Sequence, residues 1–124
     1  MVVDDDRDCL QVVVASLRDY EVLPLSEGTG LAARAQEFAP DVLILDVQLK
    51  ETDGFTLCRD LKGRRATSSI PVIFLSGLTA SEDFLAAFGA GGAVYLTKPL
   101  DPDDLRRIID DLLRKAPSDG SEPA

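Results

Sequence analysis

The stretch that most constrains the fold is Asp-Val-Leu-Ile-Leu-Asp, at positions 41–46. Four apolar residues run without a break between two carboxylates. A run this short and continuous predicts a strand buried on both faces, as in a parallel sheet. Asp46 would then emerge at the carboxyl end of that strand, which is the edge of open α/β sheets where ligands bind.

Two other apolar segments bring polar side chains to the same edge. Residues 1–3 are followed by Asp4, Asp5 and Asp6, and the run at 70–75 is followed by Ser76. The carboxyl ends of parallel strands meet at one edge of a sheet. We therefore expect the chain to be a scaffold that holds Asp46 among these groups.

Hydrophobic periodicity predicts five strands that alternate with five helices. The predicted strands are residues 1–3, 20–25, 41–45, 72–75 and 93–96. The expected inward helix residues are Leu10, Val13, Val14 and Leu17; Leu31, Ala35 and Phe38; Phe55, Cys58 and Leu61; Phe84, Ala87 and Phe88; and Leu105, Ile108, Ile109 and Leu112. Asp101 and Pro102 are typical of a helix start. This alternation predicts right-handed crossovers and a parallel sheet covered on both sides.

The composition narrows the possible functions of this single predicted domain. The chain has 22 acidic residues against 13 basic ones, which argues against direct nucleic-acid binding because phosphate contacts need a basic surface. With no histidine, histidine metal sites, histidine bases and phosphohistidine relay within this chain are excluded. Cys9 and Cys58 fit small buried helix residues. Without a signal peptide or transmembrane run, we expect a cytoplasmic protein that does not contact membranes.

The acids at the strand edge point to a metal ion. Asp4, Asp5 and Asp46 would repel one another, so each resists ionising unless a cation joins them. Mg²⁺ takes one or two carboxylates, keeps water ligands and leaves room for phosphate oxygens. The alternative is that residues 4–6 only begin a helix, where acids favour the helix dipole. We prefer that alternative for Asp6 alone.

Lys98 and Ser76 complete a candidate site. Lys98 follows a buried strand and precedes a proline, and its ammonium could balance the acids or contact a phosphoryl oxygen. The Ser76 hydroxyl could donate a hydrogen bond to that oxygen. Together with the metal, these groups predict phosphoryl transfer without a general base, with a carboxylate as the nucleophile.

With these motifs in order, the sequence resembles the receiver domain of two-component response regulators over residues 2–114. The motifs that carry the resemblance are Val2-Val3-Asp4-Asp5-Asp6, Leu43-Ile44-Leu45-Asp46, Asp53-Gly54, Pro71-Val72-Ile73-Phe74-Leu75-Ser76, Gly89-Ala90-Gly91 and Tyr95-Leu96-Thr97-Lys98-Pro99. The resemblance implies a flavodoxin-like, doubly wound α/β fold with strand order 2-1-3-4-5 and five helices. It would occupy residues 1–115, followed by a disordered tail or linker at 116–124.

The resemblance also implies a metal site and a phosphoacceptor. Asp46 matches the residue that accepts a phosphoryl group from the phosphohistidine of a sensor kinase or phosphotransfer protein. Asp5 and Asp46 match direct Mg²⁺ ligands, and Asp4 matches an acid that acts mostly through bound water. Gln48 matches the residue whose backbone carbonyl completes the metal shell.

Three further residues match parts of the family's switch. Ser76 matches the switch hydroxyl, and Lys98 matches the lysine that contacts the phosphoryl group, with a Lys98–Pro99 bond that is usually cis. Tyr95 matches an aromatic residue that turns inward when the hydroxyl moves. The expected output surface is formed by the fourth helix, the fifth strand and the fifth helix (79–89, 93–96 and 101–113), for an effector protein or a second copy.

Three functions remain as hypotheses. The leading one is a phosphorylatable receiver that is no enzyme beyond its own phosphorylation and slow autodephosphorylation. The second is a receiver-like scaffold or dimerisation module; Lys50, where the family usually has proline, favours it mildly. The third is an aspartyl phosphatase, which Gln48 opposes because that chemistry usually wants an acid at this position.

Overall fold

The computed structural model describes residues 1–50, 52–77, 91 and 94–115. The strands are β1 (Val2–Val3), β2 (Pro24–Leu25), β3 (Leu43–Asp46), β4 (Val72–Ser76) and β5 (Val94–Thr97). The helices are α1 (Arg7–Ser16), α2 (Leu31–Phe38), α3 (Gly54–Lys62) and the C-terminal helix (Pro102–Lys115). The helix predicted from Phe84, Ala87 and Phe88, and the predicted tail at 116–124, lie outside the described residues.

The five strands form one parallel sheet in the order β2-β1-β3-β4-β5. The prediction of a flavodoxin-like fold with this order is confirmed. The pairing aligns Asp46 with Leu75, and Ser76 with Thr97. The polar residues at the ends of β3, β4 and β5 are therefore brought to one edge.

Helices cover both faces of the sheet, as the continuous apolar run of β3 predicted. Leu43 and Leu45 face a core shared with α2 and α3, whereas Ile44 faces a core shared with α1 and the C-terminal helix. None of the four β3 residues is more than 3% exposed. Burial on both sides fixes β3, and with it the position at which Asp46 leaves the sheet.

Capping side chains set where α1 and the C-terminal helix begin. Asp6 accepts hydrogen bonds from the backbone N–H groups of Asp8 and Cys9, which is the N-cap role preferred for it. Asp101 accepts the N–H groups of Asp103 and Asp104 at 2.9 and 3.4 Å. Both caps satisfy backbone donors that have no partner within the helix.

Two local predictions differ from the structure. Residues 20–23 were expected in the second strand, but β2 contains only Pro24 and Leu25, because Tyr20 continues the turn after α1 and donates its N–H to the Leu17 carbonyl. Val14 was expected inside but is 38% exposed. The buried line runs instead through Cys9 and Val13 of α1 and Leu17 directly after it, at a spacing of four that leaves Val14 on the flank.

Both cysteines are buried, as predicted. Among the helices that the structure describes, none is long and apolar enough to span a bilayer.

Candidate functional site

The structure brings three carboxylates together at the carboxyl edge of the sheet. Asp4 and Asp5 directly follow β1, and Asp46 is the last residue of β3. One carboxylate oxygen from each lies within 4.8 Å of the others. Asp4 is fully buried, Asp46 is 3% exposed, and Asp5 is half-buried. Because β1 and β3 are adjacent in the sheet, residues 41 positions apart converge on one spot.

Lys98 extends from the end of β5 to this cluster. Its ammonium Nζ lies 3.0 Å from Asp4 Oδ2, 3.3 Å from Asp4 Oδ1 and 3.6 Å from Asp46 Oδ1. The Lys98 backbone N–H donates to the Ser76 carbonyl at 2.8 Å, which fixes the start of the side chain beside β4. The Lys98–Pro99 peptide is cis, as the resemblance implied.

The crowding of charges changes the acidity of the site. Burial, followed by the negative charge of Asp4, raises the pKa of Asp46 to about 6. Burial acts to lower the pKa of Lys98, but the hydrogen bond and charge of Asp4 and the charge of Asp46 outweigh it, so the net shift is upward. At neutral pH the site therefore holds a largely ionised Asp46 and a charged Lys98 ammonium.

The arrangement of oxygen atoms fits a hard divalent cation. Asp4 Oδ2 is buried and receives no aligned hydrogen bond from any described residue, because its contact with Lys98 is an ion pair without hydrogen-bond geometry. Two further carboxylates face the same space. Three carboxylates whose oxygens converge in this way match the ligands that Mg²⁺ takes in proteins.

The other predicted site residues lie around this cluster. Ser76 is fully buried at the end of β4. Tyr95 pairs with Phe74 across β4 and β5 and is half-buried against the core on the α2 and α3 face. The Gln48 side chain is exposed, and its backbone N–H donates to Asp46 Oδ1 at 3.3 Å. Ser76 and Gln48 thus flank the carboxylate cluster, whereas Tyr95 lies two residues before the end of β5.

Cys9 borders the cluster but is not reactive. Burial, followed by a hydrogen bond and repulsion from Asp4, raises the pKa of the Cys9 thiol to about 12. A thiol is nucleophilic only as the thiolate. Cys9 therefore acts as a small apolar residue of α1.

The start of α3 is a part of the site that residue-by-residue reasoning did not identify. Asp53 accepts the Thr56 backbone N–H at 2.8 Å and the Thr56 hydroxyl at 3.0 Å, so it is the N-cap of α3. Gly54 donates its N–H to the Val47 carbonyl at 2.8 Å. In the sequence, Asp53-Gly54 is predicted only as one motif of the family resemblance. An acid directly before a helix is the signal that could have identified the cap.

Comparison with known protein families gives one match over nearly the whole domain. The family described as response regulator receiver domain matches residues 1–110. The RpaA protein of Synechocystis, described as a DNA-binding dual master transcriptional regulator, is 33% identical over 93% of this chain. The transcriptional regulatory protein KdpE of Mycobacterium tuberculosis is 38% identical over 84% of this chain. This chain spans about half the length of these relatives, 48% and 46% respectively.

Solved structures show the same architecture. The BeF₃-activated receiver domain of DrrB, from Thermotoga maritima, superposes with a TM-score of 0.84 at 33% identity, covering 92% of this chain and 95% of that one. The chemotaxis protein CheY4 of Vibrio cholerae superposes with a TM-score of 0.83 at 27% identity, covering 90% of this chain and 94% of that one.

Proposed function

Because this chain belongs to the response regulator receiver domain family, we propose that it accepts a phosphoryl group on Asp46 from the phosphohistidine of a sensor kinase or phosphotransfer protein. The observation that carries the proposal is the position of Asp46. Its carboxylate shares a cluster with Asp4 and Asp5 and lies 3.6 Å from the Lys98 ammonium. The exchange would take place in the cytoplasm, where kinases have ATP.

Transfer needs a nucleophile, a means to balance charge and a good leaving group. A carboxylate oxygen of Asp46 attacks phosphorus and forms an acyl phosphate, while the bond from phosphorus to the imidazole nitrogen breaks and its electron pair stays on that nitrogen. No base is required, because a pKa of about 6 leaves Asp46 ionised at neutral pH. The ammonium of Lys98 stabilises the charge on the equatorial oxygens of the transferring group.

We propose Mg²⁺ as the cofactor of this site. Asp5 and Asp46 would bind it directly, with the Gln48 backbone carbonyl, and Asp4 would act through water. When bound, the ion neutralises charge on the phosphoryl oxygens and orients the group. The three carboxylates whose oxygens lie within 4.8 Å of one another support a divalent cation at this position.

The proposed output is a shift between two populations. The Ser76 hydroxyl would donate a hydrogen bond to the phosphorylated Asp46, and Tyr95 would then turn further inward. Such a shift favours a state that the unmodified protein already samples. An effector protein or a second copy would then bind the output surface that the resemblance implies (79–89, 93–96 and 101–113), of which residues 79–89 and 93 lie outside the described residues. Catalysis would not extend beyond the chain's own phosphorylation and slow dephosphorylation.

The test is intact mass spectrometry after incubation with acetyl phosphate and Mg²⁺. We expect a mass increase of one phosphoryl group, absent when Mg²⁺ is chelated and absent in Asp46→Asn. The matched control is Asp60→Asn, which removes an exposed carboxylate of α3 that pairs with Arg64 and should be phosphorylated like the wild type. No adduct from acetyl phosphate or from a phosphorylated kinase would refute the proposal and favour a receiver-shaped interaction module.

A further inference from the structure

The first residue of α3 lies against the backbone of Asp46. A Cβ atom added to Gly54 would lie 2.4 Å from the Asp46 carbonyl oxygen, 3.1 Å from its carbonyl carbon and 3.1 Å from the Val47 Cα. These are backbone atoms, which cannot rotate away as the end of a side chain can. Any side chain at position 54 must therefore displace either α3 or the backbone of Asp46.

Several contacts prevent the intervening loop from absorbing such a displacement. The Gly54 N–H bonds to the Val47 carbonyl at 2.8 Å, and Gln48 forms an antiparallel bridge with Asp53. On the sheet side, the Val47 N–H donates to the Leu75 carbonyl at 2.8 Å. These hydrogen bonds join the two ends of the loop, so that a movement of α3 is transmitted to Val47, directly after Asp46.

We propose that Gly54 is a positioning residue for phosphoryl transfer: without a side chain, it lets α3 begin against the Asp46 carbonyl and thereby sets the direction of the Asp46 carboxylate. The inference rests on the proposed function of Asp46. The carboxylate has little freedom, since its Oδ1 accepts the Gln48 N–H at 3.3 Å and faces Lys98 at 3.6 Å. Displacing a reacting group by about 1 Å can cost on the order of a hundredfold in rate.

The chain offers a matched control glycine. Gly28 is buried like Gly54, and a Cβ there would lie 2.6 Å from Leu57 Cδ1 and 3.4 Å from Leu49 Cδ1. Both neighbours are ends of flexible side chains, and neither belongs to the Asp46 backbone. Gly28→Ala therefore adds the same methyl group against side-chain ends of α3 and of the loop before it, where rotation of Leu57 rather than backbone movement makes room.

The experiment compares Gly54→Ala with Gly28→Ala at saturating Mg²⁺ and a range of acetyl phosphate concentrations. We expect the maximal phosphorylation rate of Gly54→Ala to fall by roughly tenfold or more, with little change in the donor concentration at half-maximal rate. Gly28→Ala should stay within about twofold of the wild type because Leu57 can change rotamer. In metal-free protein, the backbone amide NMR signals of Val47 and Gln48 should shift in Gly54→Ala and not in Gly28→Ala.

The outcomes separate this inference from the proposed function. A phosphorylated wild type with an unimpaired Gly54→Ala variant refutes the inference alone, and so does an equal slowing of both glycine variants. A wild type that takes no phosphoryl group refutes the proposed function, and this inference with it.

If circular dichroism shows that Gly54→Ala does not fold, Asp53→Ala decides. That variant removes the cap that holds the first turn of α3 and adds no atoms. A rate reduced several-fold with the fold intact supports the inference, and an unchanged rate overturns it.

Discussion

Replacing Asp46 by asparagine removes a buried carboxylate that the folded state disfavours. In an unfolded chain the pKa of an aspartate is about 3.9, whereas burial and the charge of Asp4 raise the pKa of Asp46 to about 6 in the folded protein. Between these values the folded state binds more protons than the unfolded state, so stability falls as pH rises through this window. The loss is nearly complete by about pH 7 and amounts to about 3 kcal/mol.

We therefore expect metal-free Asp46→Asn to be more stable than the wild type at pH 7. Asparagine still buries a polar amide, so the expected gain in the free energy of unfolding is about 2 kcal/mol rather than the full electrostatic figure. The gain should shrink towards zero near pH 4, where Asp46 is protonated in the folded wild type. Added Mg²⁺ should stabilise the wild type more than the variant, because a ligand that binds only the folded state raises stability by mass action.

The measurement is urea unfolding followed by far-ultraviolet circular dichroism, since the chain has no tryptophan. Unfolding would be recorded with a chelator at pH 7 and pH 4. Asp60→Asn is the control: its partner Arg64 lies 3.1 Å away and both side chains are about half exposed, so the expected change is within about 0.5 kcal/mol. An Asp46→Asn protein that is no more stable at pH 7, or equally more stable at both pH values, would refute the electrostatic argument.

Three other variants test the site and the core. Lys98→Met leaves the buried Asp4 carboxylate without its cation. Because the Lys98 side chain is 23% exposed, we expect the free energy of unfolding to fall by about 2 kcal/mol, measured by urea unfolding at pH 7 with a chelator. An unchanged free energy of unfolding would contradict a stabilising ion pair. Phe74→Ala removes a fully buried ring that contacts Phe55 edge-on, with 5.0 Å between the ring centroids. We expect the free energy of unfolding to fall by about 3 to 5 kcal/mol. A smaller loss than that caused by Phe55→Ala, at a half-buried ring, would show that the core is misassigned. Asp53→Ala should cost about 1 kcal/mol through loss of the N-cap, and thermal unfolding unchanged from wild type would argue against that cap.

The sheet was predictable because its strands carry unambiguous local patterns. The residues at 43–46 and 72–76 are almost entirely apolar and come out fully covered. Once the strands are parallel, the rule that their carboxyl ends share one edge brings Asp4, Asp46 and Ser76 together. The site residues and their phosphoryl-transfer chemistry were thus accessible from sequence through the fold, whereas the roles of Gln48 and Tyr95 came from the family resemblance.

The parts that sequence did not predict depend on contacts between distant residues. Tyr20 lies outside β2 and bonds through its hydroxyl to Asp110, and the Arg106 guanidinium lies 5.4 Å from the centre of its ring. A local sequence pattern cannot indicate a hydrogen-bond partner that lies 90 positions away. The approach of Gly54 to Asp46 is equally invisible, because it depends on how α3 packs against the end of β3.

Lys98 contributes both to the resting fold, through its ion pair with Asp4, and to the proposed phosphoryl transfer. Its backbone N–H is held beside β4 by the Ser76 carbonyl, and its ammonium reaches across to Asp4 at the end of β1. An arriving phosphoryl group would therefore not recruit a solvated cation. The phosphoryl group would contact the Lys98 ammonium, which is already partly buried and directed at the site. It would compete for that ammonium with the Asp4 carboxylate. Folding thus positions the Lys98 ammonium before any donor arrives. Phosphorylation of Asp46 would have to redistribute the existing ion pair between Lys98 and Asp4. The stability of the resting domain is therefore coupled to the ease with which it is phosphorylated.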